Sequence, residues 1–206
     1  VHDVGWLEFE KPDLARAEAF AAAFGFTTAL RTQDELHLRG TDPGAPCVLI
    51  RRGPRSRFVG PAFVAAEQSD LLRLADATGG TVRPLPETLG GVAVELVDPS
   101  GLALRVVAGT HQLAALPAQT PHVFNFGHEV ARANVTQRPP RVPTTVQRLG
   151  HVVVQTPKYL QALNWYLDHL GMIVSDFCFY PGQRERGPIM SFIRCDRGSL
   201  PADHHT

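Results

Sequence analysis

Two stretches far apart in the chain share one pattern of apolar and polar positions. They read DVGWLEFEKPDLARAEAFAAAFGF near the start and RLGHVVVQTPKYLQALNWYLDHLGM in the last third. In each, a short alternating run follows a glycine, Gly5 or Gly150, and ends at a proline, Pro12 or Pro157. Apolar residues at helical spacing come next: Leu14, Ala17, Phe20, Ala21 and Phe24 before Gly25, and Ala162, Leu163, Tyr166, Leu167 and Leu170 before Gly171. The first part predicts a strand and the second an amphipathic helix laid on a sheet, with Thr156 and Pro157 suited to a helix start and the glycines to helix ends. A looser copy lies between them. GPAFVAAE predicts a strand, about Ser69 to Thr78 a helix stopped by Gly79-Gly80, and GGVAVELVDPSGLALRVVAG a hairpin turning at Asp98-Pro99-Ser100-Gly101.

The repeating unit is therefore a strand, a helix and then further strands, and the fold class it predicts is α+β, built of tandem βαβββ units closing into cupped sheets. Residues 1–109 hold two units and form an N-terminal domain. Residues 110–147, rich in proline and polar side chains and including QRPPRVPTT, predict a linker. Residues 148–206 begin a third unit: after its helix, MIVSDFCFY, the turn PGQRERGP and IMSFIRCD supply strands, and HHT opens another. Symmetry between the domains leads us to expect a fourth unit beyond Thr206, because half a domain would leave sheet edges and an apolar face in water.

Composition narrows the function. The 206 residues carry 20 basic and 20 acidic side chains, so no net field attracts nucleic acid or an anionic membrane surface. No apolar run is long enough to span a bilayer and no signal-peptide pattern opens the chain, so the expected location is cytoplasmic. Cys47, Cys178 and Cys195 are too few and too scattered for a disulfide framework or a zinc site. No phosphate-binding loop or nucleophile elbow is present. Small, roughly neutral partners fit this balance best.

The chemistry concentrates in histidines of the third unit. Alternation along LGHVVVQ puts His151, Val153 and Gln155 on one face and Val152 and Val154 on the helix side, so His151 points into the cup, where the first unit has Trp6. In SFIRCDRGSLPADHHT a hairpin would turn one of His204 and His205 inward. The commoner role for either is a polar hairpin end; a metal ligand and a proton shuttle are the alternatives, and spacing does not choose between those two. His169 suits a helix C-terminus; His111, His122 and His128 fall in or near the linker, and Arg184, Glu185 and Arg186 read as a solvated turn.

These stretches, above all RLGHVVV, ALNWYLDHLGM and the closing HHT, resemble the type I extradiol ring-cleavage dioxygenases of the vicinal oxygen chelate superfamily. The resemblance implies four βαβββ units in two domains, with metal only in the second. It makes His151 a ligand of Fe(II), or of Mn(II) in its place, His205 the acid-base residue, His204 its neighbour behind it, and Val153 and Phe192 part of the wall around the aromatic ring. The other ligands would lie beyond Thr206, so this segment alone is expected to be inactive. The second unit offers no replacement, since its last strand carries Arg105. The implied partners are a catecholic substrate and dioxygen, and a homo-oligomer is expected. A glyoxalase-like isomerase or lyase and a non-enzymatic binder of small molecules are the competing functions on the same scaffold.

Overall fold

The computed structural model describes every residue except Val135, Gln137, Pro139 and Pro140, four positions of the expected linker. The first two units form as the pattern predicts. Unit one is β1 (Asp3–Lys11), α1 (Leu14–Phe24), β2 (Thr27–Arg31), β3 (Glu35–Arg39) and β4 (Val48–Arg52). Unit two is β5 (Arg57–Val64), α2 (Gln68–Thr78), β6 (Val82–Pro84), β7 (Val92–Val97) and β8 (Ala103–Ala108). Their strands make one sheet in the order β2-β3-β4-β1-β5-β8-β7-β6. Each opening strand pairs parallel with the last strand of its own unit, and the two opening strands pair antiparallel with each other at the centre. Asp13 caps α1 by accepting the Arg16 amide, and Glu67 and Asp70 form a capping box at α2; Gly25 and Gly79 end the two helices in the left-handed region.

Strand β1 serves both faces of the sheet. A register shift at Gly5 separates Val4 from Trp6. Val4 packs beneath α2 and α3, Trp6 on the opposite face with Leu49, Ala62, Ala93 and Val107, and Phe9 against the core under α1. The first-unit stripe is only half sealed. Leu14 and Ala21 are buried, whereas Phe20 and Phe24 are 71% and 58% exposed. They lie on the outer flank of a helix whose sheet-facing positions are largely alanine.

The third unit forms α3 (Tyr159–Leu170) and the antiparallel pair β9 (Met172–Cys178) and β10 (Met190–Cys195). Thr156 Oγ1 accepts the Lys158 amide, so the helix begins slightly later than Pro157 suggested. Its opening run, residues 148–155, is not a strand, contrary to the alternation pattern. In the first two units that run is held by two neighbouring strands; here the described residues supply neither ladder. Leu149 and Val152 both pack onto the same core, although strand alternation would place them on opposite faces. The turn after β9 is a single 3-10 turn, Arg184–Arg186, whose arginines sit over Phe179 and Tyr180, with the guanidinium carbons 4.7 and 5.8 Å from the ring centres.

The segment between the units is strapped to unit one. Leu113 bridges Gly44, Thr41 receives Leu116 N–H and donates to Val146, and Val146 donates to Gly25. Among the described residues no helix is long and apolar enough to cross a membrane.

Candidate metal and acid-base site

The last four residues return to the start of the third unit. Thr206 anchors them: its amide donates to Ile193 O at 2.9 Å, and its hydroxyl accepts the Cys195 amide at 3.2 Å, both on β10. Arg148 donates to the Asp203 carboxylate and holds that carboxyl below the usual range. Between these anchors the His205 ring meets His151, with centroids 4.4 Å apart. Phe192, from β10, lies 5.2 Å from both His204 and His205. His204 Nδ1 is 3.2 Å from His205 Nδ1, so one of the two nitrogens donates to the other.

Four of the five residues singled out from sequence thus share one cluster. Val153 stands apart: it is 78% exposed and lines a cleft of about 480 Å³ bounded by Tyr159, Ala162, Tyr166, Met190 and Thr206. Arg148 and Asp203 were not singled out from sequence, where each is an ordinary surface charge. Nor was Tyr159, whose hydroxyl is buried without a hydrogen-bond partner at the edge of that cleft.

An imidazole such as His151 suits a first-row divalent metal. Among the described residues, however, no three His, Cys, Asp or Glu side chains are grouped to hold one. The matching place in the first domain is filled differently. Trp6 is fully buried, and its Nε1–H donates to Glu8 Oε1 at 2.9 Å. The same oxygen accepts from Arg105, which also bonds Glu95 at 2.9 Å. The Glu8 carboxylate beside Trp6 is therefore committed to a guanidinium.

No family model matches the chain. It is 30% identical over 210 residues to metapyrocatechase 2 from Cupriavidus necator, a match covering all of this chain and 60% of that protein. Among solved structures it resembles a Mn(II)-bound glyoxalase from Novosphingobium aromaticivorans, with a TM-score of 0.74 at 20% identity over 100% of this chain and 60% of the other. A homoprotocatechuate 2,3-dioxygenase from Brevibacterium fuscum superposes with a TM-score of 0.71 at 17% identity, over 94% of this chain and 50% of that one. With its tandem βαβββ units, whose opening strands pair antiparallel at the centre of the sheet, the chain shares the fold of this glyoxalase and this dioxygenase. The curated relative it matches is named a metapyrocatechase, and the chain spans about 60% of that relative's length.

Proposed function

We propose that this protein is an Fe(II)-dependent extradiol dioxygenase that opens a catecholic ring beside its two hydroxyls using dioxygen. The observation that carries the reading is the meeting of His151 and His205, 4.4 Å apart beside Phe192, in a chain 30% identical to a metapyrocatechase. His151 supplies one metal ligand, and the others are assigned to sequence outside this stretch, in keeping with its 60% coverage of the relative. Iron, when bound, would supply Lewis-acid and one-electron redox chemistry toward the catechol and dioxygen.

The chain's own residues then manage the proton and the ring. Phe192 gives the substrate an apolar wall and keeps water from it. His205 takes a proton from a substrate hydroxyl and returns it as the oxygen–oxygen bond breaks. The contact between His204 and His205 sets which role is available. When His205 Nδ1–H donates to His204, its Nε2 carries a lone pair and is a base; when His204 donates instead, His205 Nε2 carries the proton and is an acid. Taking the substrate proton at His205 Nε2, passing the Nδ1 proton to His204 Nδ1 and releasing the His204 Nε2 proton to water converts the first form into the second. Val153, more exposed, is assigned to the outer wall.

The test uses the whole protein, loaded with Fe(II) without oxygen and then given air with catechol, 2,3-dihydroxybiphenyl or 3,4-dihydroxyphenylacetate. A visible-absorbing ring-fission product is expected with at least one. His205→Ala should keep iron and lose about 100-fold or more in kcat, whereas His151→Ala should lose iron. No product across the panel with iron bound would sink the substrate class. The similarity to a Mn(II)-bound glyoxalase makes an oxygen-independent isomerase the second reading, and turnover without oxygen would select it.

A further inference from the structure

Leu14 and Ala21 seat α1 on the sheet, and the small residues beside them leave its flank open. A cleft of about 710 Å³ runs there, walled by Leu7, Phe9, Leu38, Val48 and Ile50 below and by Ala17 and Ala21 above. That volume is in the range of small-molecule sites. Its two ends differ chemically. At the C-terminal end of α1, Phe20, Phe24 and Phe26 form a ladder of stacked rings, with centroids 6.1 and 5.9 Å apart, the first two largely in water. Aromatic rings left exposed together at a cleft mouth mark a place where something apolar docks.

At the other end the cleft is bounded by Lys11 and Arg16, with Ser56 from the arginine-rich turn after β4. Among the described residues no carboxylate lies within ion-pair distance of Lys11 or Arg16. Asp13 shares this end, but its Oδ1 accepts the Arg16 amide as the helix cap. Two cations with no carboxylate partner among the described residues, Lys11 having its Nζ 5.9 Å from the Phe9 ring centre, complement a molecule with an anionic head and an apolar body. The trough follows an 11-residue helix, about 16 Å long, enough for a medium-chain tail.

We infer that the cleft along α1 binds an amphipathic carboxylate, its tail against Leu7, Phe9 and Phe24 and its head between Lys11 and Arg16. The site belongs to the first unit, uses none of the His151 cluster, and does not rest on the dioxygenase reading.

The experiment is an amide NMR titration with decanoate below its micelle concentration, with decanol as a neutral tail of the same length. Saturable shifts are expected in residues 7–26 and 48–56 with both ligands. Lys11→Glu combined with Arg16→Glu, both on the surface, should weaken decanoate about tenfold or more, equivalent to about 1.4 kcal/mol, and leave decanol within about twofold. Ala17→Phe, filling the trough, should remove binding of both while the remaining amide spectrum stays folded. Three results overturn the inference: no saturable shift in these amides, undiminished decanoate affinity in the charge-reversed variant, or shifts that follow protein dilution and mark a dimer interface that decanoate leaves intact.

Discussion

Arg148 and Asp203 act on the histidine cluster from just outside it. One precedes His151 by three residues and the other precedes His205 by two, so their ion pair closes the loop that faces the rings toward each other. Both side chains are substantially exposed, at 44% and 58%, and an exposed pair adds little to global stability. Its effect should be local. Arg148→Asp should abolish the proton–proton contact between the His151 and His205 rings measured by NMR while leaving the thermal midpoint nearly unchanged, and adding Asp203→Arg should restore it. A contact that survives Arg148→Asp would assign the positioning to Thr206 alone. His37 predicts a pH effect elsewhere. It is buried on β3, and burial pushes its pKa below the ordinary 6.5, opposed by Glu35 at 3.5 Å and assisted by Arg51. The unfolded chain therefore binds more protons than the folded one as pH falls past 6.5, and stability drops there. Chemical unfolding between pH 7.5 and 5.5 should show a smaller loss in His37→Gln than in the parent chain.

At the scale of elements, the strap from unit two to unit three is held by close backbone contact that only glycine allows. A Cβ at Gly40 would lie 2.0 Å from Gln147 O, and one at Gly25 2.5 Å from Thr144 O. Gly40→Ala must push the strap off unit one, at about 1–3 kcal/mol, so urea unfolding should shift to lower concentration and proteases should cut within residues 117–145 sooner. Unchanged proteolysis would show the strap to be held by its other bonds. The elements were legible where period and punctuation agreed: α2, the Asp98 turn and the helix-ending glycines all fall where proline, glycine and spacing put them. Two readings failed because an element is defined by its neighbours. The 148–155 run alternates like a strand but has no ladder among the described residues, and the Phe20 and Phe24 stripe is apolar but not covered.

Across the whole molecule, one core joins what the sequence divides. Tyr166, Leu170, Met172 and Cys195 of the third unit are buried with Phe63, Leu71, Val94 and Val106 of the second. The Tyr166 hydroxyl bonds Asp98 Oδ2 at 3.3 Å, while Asp98 Oδ1 accepts the Ser100 and Leu102 amides that shape its turn. The Val1 nitrogen donates to Leu170 O at 2.8 Å. Leu170→Ala should therefore cost about 2–5 kcal/mol and lower a single thermal transition seen alike by Trp6 and Trp165 fluorescence. Two separated transitions would mean that the third unit unfolds alone. By itself the sequence determined the repeat, the helices and the candidate histidines, because these follow from local period, capping and residue type. The tertiary structure decided that His205 meets His151, that Arg148 finds Asp203 and that Phe20 and Phe24 stay uncovered beside the cleft along α1. Those depend on distances between segments remote in the chain, which close packing sets and no local pattern records.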